Sequence, residues 1–185
     1  LEQSVLLVID VQDKLVVTMA PEKYQRMRSR IEMLLKGADL MGLPVIATEQ
    51  YPRGLGGTVA ELQAACRSGA VEKVSFGCCG EPDFLEKLKA VGKPQVIVTG
   101  MEAHVCVYQT VLGLLEAGYH VHLVRDAILS RHEADLLASV DNAARAGAVV
   151  TTTETVLFQL MQSSRAPQFK AVSALIKEQD QGSAL

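Results

Sequence analysis

The chain has 185 residues, 49% of them hydrophobic and 21% charged, with a net charge of -3. This balance excludes a disordered chain, and with no dense Lys/Arg run nothing recruits nucleic acid or an anionic membrane. Aromatic residues make up only 4% and Trp is absent, so Val, Leu, Ile and Ala must supply the core, as in parallel sheets covered by helices. The first apolar run, "SVLLVID" (4–10), has the length of a buried strand and is too short to span a bilayer. "PEKYQRMRSRIEMLLKGADLMG" (21–42) reads as a helix, with Pro at a first-turn position and Gly at its end. "PVIATE" (44–49) is a second strand, and "VEKVSF" (71–76) alternates like a third. "EPDFLEKLKAVG" (81–92) repeats the helix design, with acids early, lysines late and a closing Gly. "QVIVTG" (95–100) is a strand, and "HVCVYQTVLGLLEAG" (104–118) an apolar, well-buried helix. "HVHLVRD" (120–126) and the weaker "AVVTTT" (148–153) are the last strands. They flank a helix for which Ser130 and Glu133 form a predicted capping box. "TVLFQLMQ" and "FKAVSALIKEQ" close the chain as helices.

Strands alternating with helices imply right-handed crossovers. The expected fold class is α/β: a three-layer α/β/α, Rossmann-like domain with a mainly parallel sheet of about six strands. One domain is expected over 1–178, with 179–185 a frayed tail. The four cysteines, Cys66, Cys78, Cys79 and Cys106, make neither a C-x-x-C pair nor a zinc site. They read as free thiols of a reducing, cytoplasmic compartment. The chain starts at Leu1 without Met, which leaves a removed leader open.

In an open α/β sheet, sites form outside the carboxyl ends of the strands. Asp10, Lys73 and Cys106 all fall at or near such ends. Asp10 could take a thiol proton, while Lys73 and a helix start would lower the thiol pKa. Each signal has a plainer reading: a buried small apolar residue for Cys106, a turn cap for Asp10, an edge lysine for Lys73. Their shared rim is what joins them. His104 is a rival base, but at i and i+2 on one helix it would point away from Cys106. Other chemistries fail on spacing. No G-x-G-x-x-G follows the first strand, "YPRGLGGT" (51–58) lacks the Lys-Ser/Thr of a phosphate loop, and the residue six after Cys106 is Leu112 rather than Arg.

Four stretches together, "LLVIDVQ" (6–12), "VIATEQYPRGLGGTV" (45–59), "VEKVSFGC" (71–78) and "VTGMEAHVCVYQT" (98–110), give the chain a family likeness. It resembles the isochorismatase-like cysteine hydrolases, the superfamily of nicotinamidase and N-carbamoylsarcosine amidase. The likeness covers nearly the whole chain, and "TEQYPRGLG" is especially like the isochorismatase domain-containing subgroup. The resemblance implies an Asp-Lys-Cys triad: Asp10 as base, Lys73 as charge-stabilising partner and Cys106 as nucleophile. It implies a thioester intermediate formed from an amide-like carbonyl. It also implies a cis peptide at Met101–Glu102, and an oxyanion hole from the backbone N–H groups of Glu102 and Cys106. Metal-dependent relatives carry Asp-x-His after the second strand; here Glu49 and Tyr51 stand at those positions, so no metal and no cofactor are expected. Gln12, Gln50 and Tyr51 are the candidate substrate-binding residues. The expected partners are a small-molecule substrate and other copies of the chain in a homo-oligomer, with no nucleic acid and no membrane. Two alternatives to amide hydrolysis stand: vinyl-ether hydrolysis of the isochorismatase type, and a low-turnover protein acting through oligomer or partner contacts.

Overall fold

Apolar runs bounded by turn residues build the sheet. In the computed structural model, which describes residues 3–182, the first run forms β1 (Ser4–Ile9), buried along its whole length. Five more strands follow: β2 (Val45–Gln50), β3 (Val71–Lys73), β4 (Gln95–Met101), β5 (His120–Leu129) and β6 (Val149–Thr151). They lie in the order β3-β2-β1-β4-β5-β6, and every pairing is parallel. The order runs outward from β1 in both directions, so the chain reverses its winding at β1 and β4. Parallel neighbours need crossovers, and helices supply most of them.

The period-2 alternation of β1 sorts its side chains. Leu6 and Val8 join one core, with the helices Pro21–Met41, Thr153–Met161 and Phe169–Gly182. Val5, Leu7 and Ile9 join the other, with Pro82–Val91, Tyr108–Glu116 and Glu133–Ala146. This is the expected three-layer α/β/α arrangement. Full burial of each Val, Leu or Ile is worth about 1.5–3 kcal/mol, so a strand buried on both faces is held firmly at the centre.

Helix punctuation follows the sequence at most ends. Pro21 and Pro82 open their helices, and Gly42, Gly92 and Gly147 close theirs in the left-handed conformation. The capping box is an exception. The cap of Glu133–Ala146 is His132, with no side-chain cap bond; the Ser130 hydroxyl instead meets His104 Nδ1 at 2.9 Å. β3 is also shorter than the alternation of 71–76 suggests. Glu81 Oε1 accepts the N–H groups of Val74 and Ser75, and Lys73 Nζ donates to the carbonyls of Ser75 and Phe76. Side chains have claimed the backbone groups that a longer strand would offer its neighbour.

Gly100 shows how tightly β4 approaches β1. Its φ is +115°, and a Cβ there would lie 2.1 Å from the Ile9 carbonyl oxygen. Only glycine fits. No described helix is long and apolar enough to cross a membrane. The last helix runs to Gly182; of the tail expected to fray, 183–185 lie outside the described residues.

Candidate active site

β1 and β3 deliver a carboxylate and an ammonium to one buried point. Asp10 follows directly on β1 in the left-handed region at φ 50°, which Asp tolerates better than most residues. Its N–H donates to the Thr48 carbonyl at 3.2 Å, while the Thr48 hydroxyl donates to Oδ1 at 2.7 Å. Lys73 ends β3, in register with Gln50 of β2. Its Nζ stands 2.7 Å from Asp10 Oδ2, and neither side chain has exposed surface. The ammonium also donates to Gln50 Oε1 at 2.6 Å, Phe76 O at 2.8 Å and Ser75 O at 3.2 Å. At 2.7 Å the Asp10 contact is a buried ion pair at hydrogen-bond distance.

Cys106 arrives from β4. The chain leaves β4 through a cis peptide at Met101–Glu102, then makes a π-helical turn over Ala103–Val107 before the helix Tyr108–Glu116. Glu102 O accepts the N–H groups of Val105 and Val107 at 3.1 and 3.2 Å. The Thr110 hydroxyl donates to Cys106 O at 2.6 Å and accepts Cys78 N–H at 2.9 Å, which ties the turn to the "GCC" segment. The Cys106 thiol is in hydrogen-bond contact with the Asp10 carboxylate and within the field of Lys73 and Cys78. The structure thus brings Asp10, Lys73 and Cys106 together.

Electrostatically, the site keeps a carboxylate of raised pKa beside a cation. Burial raises Asp10 above the ordinary carboxylate value, against the pull of Lys73 and its hydrogen bonds. Burial alone would lower Lys73; the Asp10 carboxylate, with Cys106 and Cys78 beyond it, holds its pKa above the ordinary lysine value. The Cys106 thiol is pushed up to about 12, first by burial and then by the Asp10 charge. This reverses the lowering expected from a helix start and Lys73. The residue sits inside a π turn at 5% exposure, so loss of hydration outweighs the nearby cation.

Two of the three expected substrate contacts are engaged in hydrogen bonds within the protein. The Gln12 amide donates to Gln50 O at 3.0 Å and Gly56 O at 2.7 Å, and accepts Gln50 N–H at 2.7 Å. It fastens the end of β1 to β2 and the 51–58 loop, and has little left for a ligand. Gln50 is spent on Lys73 Nζ and, at 2.8 Å, the Val74 carbonyl. Tyr51 differs: its side chain is exposed, and with Pro52, Arg53 and Val74 it lines a cleft of about 300 Å³ that also touches Lys73. Glu49 Oε1 accepts both the N–H and the hydroxyl of Thr58 at 2.7 Å. Among the described residues no group of three or more His, Cys, Asp or Glu could hold a metal.

The sequence reading missed Thr48, Thr110 and Cys78. Thr48 pairs with Ile9 in the β1–β2 register, so a threonine at that register position, level with the last residue before Asp10, was the available signal. Cys78 is fully buried, with its thiol 3.9 Å from the Thr48 hydroxyl. Burial pushes that thiol too up to about 12.

Comparison with known proteins agrees with this architecture. Residues 4–155 match the Isochorismatase domain. The chain belongs to the isochorismatase family. Isochorismatase domain-containing protein 2 of Danio rerio is 39% identical over 174 residues, covering 94% of this chain and 86% of that protein. Isochorismatase domain-containing protein 1 of Salmo salar is 38% identical over 146 residues, 79% of this chain. The match spans only 52% of that longer relative. Among solved structures, the MAR1 ribonuclease of Caenorhabditis elegans superposes with a TM-score of 0.86 at 36% identity, covering 94% of this chain and 88% of that one. The Escherichia coli ycaC gene product, an octameric hydrolase of unknown specificity, shares the fold with a TM-score of 0.83 at 24% identity, covering 97% and 95%.

Proposed function

We propose that the chain is a cysteine hydrolase of a small amide, with Cys106 as nucleophile, Asp10 as base and Lys73 as the fixed cation. The observation that carries this reading is the buried Asp10–Lys73 pair with the Cys106 thiol against the carboxylate. At rest the thiol keeps its proton. As Sγ attacks the carbonyl carbon, the proton passes to Asp10, whose raised pKa makes it a better acceptor than a solvated carboxylate. Lys73 offsets the negative charge of the pair before and after that transfer. The backbone N–H groups of Glu102 and Cys106 are the proposed donors to the oxyanion, where one donor is worth about 3–4 kcal/mol. The C–N bond then breaks and the leaving amine takes the proton from Asp10. Asp10 next deprotonates a water, which attacks the thioester, frees the acid and returns the proton to Cys106 as the C–S bond breaks.

The exposed Tyr51 and its cleft are the proposed substrate contact. The octameric ycaC product supports assembly into a homo-oligomer. The test is a panel of small amides with intact-mass detection of an acyl adduct. An adduct on the wild type and none on Cys106→Ala supports the mechanism; hydrolysis that survives Cys106→Ala rejects it. The C. elegans neighbour gives a second reading, RNA cleavage, at 36% identity. Degradation of an RNA substrate that is lost in Cys106→Ala would favour it over amide hydrolysis.

A further inference from the structure

A second concave surface is distinct from the cleft beside Tyr51. The start of the helix Pro21–Met41, the far end of β5 and the start of the helix Glu133–Ala146 enclose a cavity of about 620 Å³. β6 pairs with β5 only up to Val124, so residues 125–129 of β5 run past their neighbour and form one wall. Neither Asp10, Lys73 nor Cys106 lines it.

Its charge is unbalanced. Lys23, Arg26, Arg30 and Arg125 face Asp126 and Glu133, two more cations than anions. Lys23 pairs with Glu133 at 2.9 Å, and Arg30 lies 3.7 Å from Asp126. Asp126 is also committed elsewhere, since its Oδ1 accepts the Thr153 N–H at 2.9 Å and hydroxyl at 3.1 Å. The guanidinium groups of Arg26 and Arg125 have no ion-pair or hydrogen-bond partner among the described residues. Beneath this cationic rim the lining is aliphatic: Ile128, Leu129, Leu136 and Leu137. Leu137 is 49% exposed, an apolar surface that gains by being covered.

We infer that this cavity binds an amphipathic organic anion, a carboxylate or phosphate monoester on an apolar body. The volume suits a small molecule. Arg26 and Arg125 offer planar donor forks matched to either anion, and the leucines take the apolar part. This site is independent of the amide chemistry proposed above.

Calorimetric titration of the full chain with 1-naphthyl phosphate, 1-naphthoate and neutral 1-naphthol tests it. Binding of at least one anion, with 1-naphthol at least about tenfold weaker, is expected. The exposed Arg26→Gln/Arg125→Gln double variant, checked for an unchanged unfolding temperature, should weaken that anion about tenfold, as two solvent-facing ion pairs allow. Leu137→Asn should weaken naphthyl binding without abolishing the preference for the anions. Cys106→Ala should bind the anion as the wild type does. The inference is overturned if neither anion binds, if 1-naphthol binds equally well, if the arginine variant is unaffected, or if Cys106→Ala abolishes binding. Tighter binding of a ribo-oligonucleotide than of 1-naphthyl phosphate would also overturn it.

Discussion

Replacing Lys73 by Met is the most direct perturbation of the site. The new side chain is similar in length and apolar, so it can fill the space but not the charge. Asp10 Oδ2 would lose its cation 2.7 Å away, while Gln50 Oε1 and the Ser75 and Phe76 carbonyls would lose their donor. Removing one partner of a buried ion pair costs about 3–5 kcal/mol, a large fraction of the roughly 5–15 kcal/mol that holds a domain together. The cost should depend on pH. Burial already raises Asp10, and Lys73 is the principal influence pulling it down; without Lys73 its folded pKa rises further. A group with a raised folded pKa contributes stability that is present below its unfolded pKa and lost as pH rises through the folded one. The Lys73→Met deficit should therefore be largest at about pH 8 and shrink toward about pH 5. Urea unfolding followed by circular dichroism at both pH values measures it. Asp10→Asn/Lys73→Met should recover more than half of the loss, because the stranded charge is gone. A deficit below about 1 kcal/mol that is flat with pH is what an exposed pair would give, and would refute the buried pair.

Four further outcomes follow from the same geometry. Alkylation of Cys106 by iodoacetamide should climb about tenfold per pH unit beyond neutrality, because burial pushes the thiol up to about 12; a plateau near pH 7 would show an activated thiolate instead. Stability should fall as pH rises above about 9, where unfolded thiols ionise while Cys78 and Cys106, pushed up to about 12, stay protonated in the fold; urea midpoints at stepped alkaline pH, flatter in Cys78→Ser, check this. Gly100→Ala should yield insoluble or unfolded protein, since its Cβ would lie 2.1 Å from Ile9 O, whereas Gly57→Ala, with its nearest contact at 3.7 Å, should express and fold. Exhaustive chelation should leave amide hydrolysis unchanged, and activity that vanished with EDTA and returned with a stoichiometric divalent ion would overturn the metal-free mechanism.

The strands and helices were legible because burial on both sheet faces writes continuous apolar runs, and because Pro21, Pro82, Gly42, Gly92 and Gly147 mark helix ends through backbone constraints of their own. The convergence of Asp10, Lys73 and Cys106 was legible as a shared rim, since all three end or follow strands of one parallel sheet. What stayed hidden was the polar traffic between them. Nothing in the local pattern of "DVQ" or "TEQ" says that the Gln12 amide will clasp Gln50, or that Gln50 will hold Lys73 and leave both with little for a ligand. Those bonds depend on the β1–β2–β3 register. The Ser130 capping box failed for a similar reason: His104, 26 positions away, meets the hydroxyl at 2.9 Å. A helix start at Cys106 predicts a lowered thiol pKa, whereas the chain makes a buried π turn there and burial raises it.

In the proposed mechanism, a Cys106 held as a thiol moves the work to Asp10. In an exposed site a thiolate can stand ready, stabilised by water and a nearby cation. Here water is excluded from the pair, and ionising Cys106 beside ionised Asp10 would place two negative charges around one ammonium. The stable arrangement is one anion, one cation and one neutral thiol. Shifting the thiol proton to Asp10 preserves that count, because the carboxylate becomes neutral as the sulfur becomes negative. Lys73 remains the counter-ion throughout, positioned by Gln50 and two carbonyls whichever partner holds the charge. On this reading Gln50→Leu, which removes one acceptor from Lys73 and one donor from Val74 O, should slow turnover with little change in KM. A change in KM alone would place Gln50 at the substrate after all.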